Sequence, residues 1–460
     1  MKGDKSMASQ QLRKKEIYSE IRETAPPPSK KLNLNTEDWW AVWLGFGIIS
    51  LILLSLFPAP TLPSRWGNDG SFNIISSIPI NNIPGVILTG GIALLIFWVA
   101  IRFLKTEIKR NFLVAFPVLF GLSILAYVLG QYGPWRHYGF NDVIWALVIG
   151  LFISNVLKTP TFLKSALHTE LYIKTGLVLL GASILFDRML ALGMLGIGVA
   201  WMVTPIVIIV MYLFSQRVLK MNDQKELAVT ISSATAVCGV SAAIASGTAA
   251  KAKKEEITLA ISITLIFTIL MMIGMPALVR LFGLDPVVGG AWLGGTIDAT
   301  GAVVAAGSLL GENAMEVASV IKMVQNILIG FVAVGIALFF VSRANSHQQG
   351  SEKKQIKGKE IWDRMPKFIL GFIGASLIFS FLIPQQTVET VLPTIDQYRG
   401  LFFTLAFVSI GLESNFKELA KGVRGGKPIV LYIVGQLFNI ILTLLAAWIF
   451  FSGKFFSLPF

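Results

Sequence analysis

Residues 289–311, GGAWLGGTIDATGAVVAAGSLLG, constrain what this chain can fold into more than any other stretch. They lie among long apolar runs, yet hold too much Gly, Ala and Thr for an ordinary spanning helix. Glycine pairs invite the helix to break, and one carboxylate, Asp298, sits in the middle. An ionisable group at membrane depth is costly and reads by default as functional. Non-helical backbone at that depth survives only where protein buries it or where it lines a water-filled cavity. A second stretch of the same character, SSATAVCGVSAAIASGTAA, occupies residues 232–250. Two interrupted segments in one bundle point to the binding site of a secondary transporter. The expected substrate is an anion, because a half-helix N-terminus at the break would hold negative charge.

Composition sets the solvent. Of 460 residues, 54% are hydrophobic and 14% charged, with a mean hydropathy of +0.70. A soluble domain carries nearer a quarter charged residues, so an all-α integral membrane protein embedded in a lipid bilayer is expected. The net charge of +13 does not call for nucleic acid, because the basic residues cluster in short connections and tails, as the positive-inside bias demands. The single cysteine, Cys238, excludes an internal disulfide framework. His137, His168 and His347 show no zinc or haem spacing, so neither metal nor cofactor is expected. No phosphate loop, HExxH, GxSxG or Cys–His pair appears, which argues against an enzyme.

Residues 1–38 are polar and basic, without the apolar core of a signal peptide, and read as a partly disordered cytoplasmic tail with a short helix around 8–22. Eleven apolar runs follow, near 40–57, 86–103, 112–129, 141–157, 172–186, 194–215, 257–281, 318–341, 367–384, 400–414 and 428–451. Several approach the ~20 residues that a bilayer crossing needs. Lys/Arg clusters place the connections at 102–110, 158–174, 217–225, 343–367 and 417–427 inside. The loops at 58–85, 130–140 and 385–399 carry one Arg each and belong outside. The N-terminus then lies on the inner face.

Lys225 precedes the first interrupted segment, and Lys251, Lys253 and Lys254 follow it. A segment that starts and ends on one face is a re-entrant hairpin. The second segment, flanked by Asp285, Glu312 and Glu316 without nearby Lys or Arg, should dip in from the other face. The expected architecture is therefore about eleven transmembrane helices plus two opposed re-entrant or broken segments; the alternative makes both segments full crossings, thirteen in all. Residues 39–135 supply extra N-terminal helices. Residues 136–285 form a first transporter repeat with hairpin 229–250, and 286–455 a second with hairpin 287–311. LVLLGASILFDRMLALG (177–193) resembles FVSIGLESNFKELAKGV (407–423), and AIASG (243–247) resembles VVAAG (303–307). Matched pairs run in opposite directions, the pattern of an inverted repeat.

Asp298 is the first candidate, with Thr296, Thr300 and Gly301 beside it. A plain carboxylate in a structural turn is the bland reading; its depth favours the functional one. Lys322 would sit about 15 Å into its helix at 1.5 Å per residue, and snorkelling to the interface is its bland reading. Gln325 and Asn326 share its helix face, a polar stripe on an apolar helix. Asp298 and Lys322 are expected to pair when the site is empty. In the first hairpin Ser233, Thr235, Cys238, Gly239 and Ser241 offer hydroxyls and exposed backbone, though small residues also serve close helix packing.

The motifs VCGVSAAIASG (237–247), AWLGGTIDATGAVVAAG (291–307) and VIKMVQNILIG (320–330) resemble the YeiH-like sulfate-exporter family, bacterial inner-membrane proteins of the UPF type, over roughly residues 110–455. The resemblance implies a multi-spanning exporter of sulfate or a related anion. It carries Cys238, Gly239, Ser241 and Ala242 onto the family's Cys-Gly-x-Ser-Ala core. Thr300, Val303, Ala305, Ala306 and Gly307 match its second motif, and Lys322 its lysine. Many members read His-Asp-Thr-Ala-Gln where this chain has Asp298-Ala299-Thr300-Gly301-Ala302, and Arg where it has Gln325, so a different or less charged anion is implied here.

The functional expectation is a secondary transporter moving a sulfate-like or sulfonate-like anion by alternating access, coupled to H⁺ or Na⁺ through Asp298. Its competitor is a cation/proton antiporter using Asp298 and Lys322. A channel would need a continuous polar pore where only two clusters are visible, and an enzyme acting on a lipid-linked substrate would need a nucleophile–base pair. The first three helices offer a surface for a homodimer.

Overall fold

The computed structural model describes residues 34–67, 74–104, 111–137, 140–345, 362, 365–417 and 426–459. The helix expected around 8–22 and most of the basic connections at 343–367 and 417–427 lie outside them. Each apolar run becomes a helix. In chain order these are α1 (Glu37–Leu53), α2 (Ile83–Phe103), α3 (Phe112–Gly130), the short α4 (Gly133–His137), α5 (Asp142–Phe152, continued by a π turn), α6 (Thr169–Ser183) and α7 (Phe186–Arg217). Then follow α8 (Lys225–Ala236), α9 (Gly239–Ala250), α10 (Lys254–Leu281), α11 (Pro286–Thr296), α12 (Thr300–Ser308), α13 (Glu312–Asn345), α14 (Phe368–Phe381), α15 (Gln385–Glu413) and α16 (Gly426–Phe451). Among the described residues, six helices are long and apolar enough to cross a membrane: α2, α3, α7, α10, α13 and α16.

The helix starts are written locally. The Asn141 side chain accepts from the Ile144 N–H at 3.3 Å to open α5. Asp285 accepts from Val287 at 2.8 Å, with Pro286 at the first helical position, to open α11. One expectation needs correction. Residues 385–399 are not a loop but the first half of α15, a helix of 29 residues. Glu389, Asp396 and Arg399 break the apolar run in the sequence, but the charge at Arg399 is held in place: its guanidinium meets Glu312 at 2.8 Å and Asp396 at 3.5 Å.

Both interrupted segments fold back on themselves. A Cβ at Gly247 in α9 would come within 3.2 Å of Thr230 Oγ1 in α8, whereas one unbroken helix would set those residues about 25 Å apart. A Cβ at Gly289 in α11 would come within 3.2 Å of Leu310, just beyond α12. Each is a helical hairpin, and the two tips touch: the Gly239 N–H donates to the Asp298 carbonyl at 2.6 Å.

The helices pack as two groups. α7–α13 and α16 lie on one another, with both hairpins among them; α1, α3, α5, α6, α14 and α15 form the other group, with α2 against α3. The groups meet mainly where α12 lies on α6 and α15, and where α14 lies on α7. The Arg399–Glu312 pair also bridges them, near the C-terminal end of α6, where Ser183 donates to Asp396 at 2.6 Å.

The glycine pairs of α11 have a second use besides the break. Gly290 faces the Ala314 carbonyl and Gly294 the Ala318 carbonyl, so that a Cβ would meet those oxygens at 2.5 and 2.6 Å. Small residues four apart on both helices let two backbones approach. Gly294→Leu should therefore lower the thermal unfolding midpoint sharply, since overpacking of about this size costs ~1–3 kcal/mol or more. Gly274→Ala, where nothing lies within 4 Å, should leave the midpoint unchanged or raised. Equal behaviour of the two variants in detergent would contradict the packing.

Candidate binding site where the two helix breaks meet

A helix that stops in an apolar interior leaves carbonyls at one end and N–H groups at the other. Here the carbonyls of α8 and α11 are met one by one. Ala236 accepts from Thr204 Oγ1 at 3.0 Å and from Gln325 Nε2 at 2.9 Å. Val237 accepts from Lys322 Nζ at 2.8 Å. Gly295 accepts from Gln325 Nε2 at 3.1 Å, and Thr296 from Gln436 Nε2 at 3.1 Å. Asn439 Nδ2 reaches the Thr235 carbonyl at 3.3 Å. The donors come from α7, α13 and α16, and among them Gln325 bonds carbonyls of both hairpins.

The N-terminal sides of the breaks face elsewhere. α9 starts after Cys238 and α12 after Ala299, and neither start carries a side-chain cap. Both starts line open space between the two helix groups. One cavity of about 430 Å³ is bounded by Cys238, Ser241, Ala299, Thr300 and Asn326 on the hairpin side and by Asp38, Glu170 and Lys174 on the other. A neighbouring cavity of about 560 Å³ shares Ser241, Ala299, Glu170 and Lys174 and adds Gly301, Ala302 and His168. On the hairpin side of the 430 Å³ cavity, Asn326 Nδ2 donates to Thr300 Oγ1 at 3.1 Å. At the far side Lys174 is paired with Asp38 at 2.9 Å and Glu170 at 3.3 Å. Burial pushes the His168 imidazole below its ordinary value, with its bond to Ser165 opposing.

The residues singled out in the sequence thus separate into layers. Cys238, Ser241, Thr300, Gly301 and Asn326 line cavities. Gly239, Thr296, Asp298, Lys322 and Gln325 form the buried layer behind them. Ser233 and Thr235 are turned away: their hydroxyls bond their own helix, at Val229 and Ile231, at 2.8 and 2.9 Å.

The expected Asp298–Lys322 pair is not made. The Lys322 ammonium sits on the Val237 carbonyl and on Gln325 Oε1 at 2.5 Å, while the Asp298 carboxylate accepts from the Tyr432 hydroxyl. A carbonyl left bare at the break attracts the lysine, and a phenol already occupies one oxygen of the carboxylate. Thr204, Tyr432, Gln436 and Asn439 were missed by reasoning from single motifs. On α16 the signal was present: Tyr432, Gln436, Asn439 and Thr443 recur at intervals of four, three and four, one buried polar stripe on an apolar helix.

The family model of conserved hypothetical protein 698 matches residues 115–432. Two UPF0324 membrane proteins of Nitratidesulfovibrio vulgaris are 46% and 45% identical over 389 and 390 residues, 83% of this chain and 65% of each relative. UPF0324 membrane protein RB9488 of Rhodopirellula baltica is 50% identical over 350 residues, 75% of this chain and 64% of the relative. The chain thus spans less than two thirds of the length of each of these relatives. No solved structure matches it.

Gln325→Leu would strip the Ala236 and Gly295 carbonyls of a common donor and leave Lys322 with one acceptor fewer. Each buried polar group left unsatisfied costs about 1–3 kcal/mol, so this variant should unfold well below the parent chain. Gln216→Leu, at a residue distant from the breaks whose amide nitrogen bonds Ser215 at 2.9 Å, should cost much less. A thermal-melt comparison in which both variants fall equally would refute the bridging role.

Proposed function

The chain belongs to the conserved hypothetical protein 698 family, the UPF0324 membrane proteins, and from the geometry of its two helix breaks we propose that it is a secondary transporter of a small anion. One observation carries the reading: two half-helix N-termini without side-chain caps line the same open space, from two hairpins that touch at their tips. Each N-terminus presents N–H groups and roughly half a positive charge. Ser241, Thr300 and Asn326 add neutral donors, so the substrate is held without a dedicated cation. That suits a sulfate-like or sulfonate-like anion, in line with the motif resemblance to sulfate exporters.

Transport proceeds by alternating access. In this reading α5–α10 and α11–α16 are inverted repeats, eleven helices cross a bacterial inner membrane, the N-terminus is inside, and the cavity past Asp38, Glu170 and Lys174 opens to the cytoplasm. The end of α6 near Arg399 and Glu312 is then the closed, outer end. The antiporter alternative needs Lys322 as the group that a cation displaces from Asp298, and Lys322 is bonded elsewhere.

The single cysteine makes the test direct. Cys238 lines the 430 Å³ cavity beside Ser241 and Thr300. Sulfate or a sulfonate at saturating concentration should slow its reaction with a small thiol reagent and raise the melting temperature. At a hundred times the Kd the stabilisation is about 2.7 kcal/mol. Thr300→Val should weaken both effects. Protection by no anion, or protection unchanged in Thr300→Val, would sink the site assignment.

A further inference from the structure

Behind the anion cavity the second break meets α16, and the chemistry reverses. The Tyr432 hydroxyl donates to Asp298 Oδ2. One turn along the same helix, Gln436 Nε2 donates to the Thr296 carbonyl at 3.1 Å and to Met271 Sδ at 2.9 Å. These bonds clamp residues 296 and 298 against residues 432 and 436. They also fix which end of the Gln436 amide carries nitrogen. Three side-chain oxygens of the clamp have no hydrogen-bond partner and are buried: Asp298 Oδ1, Thr296 Oγ1 and Gln436 Oε1. None of the three residues is more than 4% exposed.

All three oxygens can accept or ligate a cation, and the Thr296 hydroxyl can also donate. A buried carboxylate without a counter-charge is costly, and among the described residues Asp298 makes no ion pair. Lys322, the cation of the same buried layer, is turned onto the first hairpin. Water could offer hydrogens to two of the oxygens but would not neutralise the charge. One carboxylate with neutral oxygens, at the negative C-terminal end of α11, matches a hard monovalent cation. A divalent ion would want more charge, and among the described residues no cluster of three or more His, Cys, Asp or Glu could hold one.

We propose that Asp298, Thr296 and Gln436 bind a sodium ion. The site shares the 296–301 segment with the anion-facing start of α12, and the Asp298 carbonyl is bonded to Gly239 at the start of α9. An occupied sodium site therefore firms up both N-termini and places a positive charge behind them. Coupling of the two ligands rests on the anion-transport reading; the sodium site itself does not. By linkage each ligand must tighten the other by the same factor.

The test uses the full chain in detergent, with NaCl, KCl and choline chloride at equal ionic strength. The readouts are thermal unfolding and binding of radioactive sodium. Sodium should stabilise saturably where potassium and choline do not. Asp298→Asn should abolish the effect, and Gln436→Leu should raise the sodium dissociation constant roughly tenfold or more. Gln436→Leu also decides the matter should Asp298→Asn fail to fold. Thr300→Val, in the anion site, should weaken the anion effects and keep sodium binding, whereas a parent chain that responds to no anion but still binds sodium overturns the anion reading alone and spares this one. Identical melting in the three salts would overturn the sodium site. So would a sodium effect that survives both Asp298→Asn and Gln436→Leu. A stability change that follows pH through Asp298 without sodium selectivity would also overturn it, assigning the site to a proton only.

Discussion

The structure depends on a single constraint: backbone carbonyls that end a helix inside an apolar body must find donors there. Four of them, at Ala236, Val237, Gly295 and Thr296, lie where the helices end at the two breaks. Left bare, each would cost several kcal/mol in a medium without water. Thr204, Lys322, Gln325 and Gln436 supply the donors, and this requirement places α7, α13 and α16 where they are. Polar stripes on helices that otherwise face lipid follow from it. So does the close seating of α11 on α13, which glycine and alanine permit.

Once the carbonyls are satisfied from behind, the breaks acquire two unlike faces. Toward the cavity they show helix starts and hydroxyls, which favour negative charge. Toward α16 they show accepting oxygens, which favour positive charge. The two faces share the residues from 296 to 301, so whatever sits on one side feels the other through a few bonds. Lys322, held on the Val237 carbonyl, makes no ion pair with the carboxylate that lies two residues from Thr296 and Thr300.

Much of this was legible in the sequence. The apolar runs gave the helices, because length and hydropathy decide a helix in lipid with little help from partners. The broken segments were legible because Gly, Ala and Thr cannot sustain a spanning helix unaided, and their basic flanks foretold that the first folds back. The polar stripe of Lys322, Gln325 and Asn326 was legible from its spacing. The partners were not. Which donor meets which carbonyl is settled by contacts such as Gln325 with Ala236, far apart along the chain. The Asp298–Lys322 pairing failed for that reason: charge attraction was weighed in the sequence, but the competing bare carbonyl at Val237 could not be seen there. The first half of α15 was misread because Arg399 looks soluble until Glu312 and Asp396 are placed beside it.

The bond between Gly239 and the Asp298 carbonyl has a consequence for how such a chain can change over generations. Each hairpin tip forms part of the other's surface, and a Cβ at Gly239 would lie 3.4 Å from that of Asp298 and 3.1 Å from Thr264 Oγ1. A substitution that widens one tip displaces the other, although the two are encoded some sixty codons apart. An increase in bulk where Gly239 meets Asp298 should therefore be matched by a compensating change at the other tip.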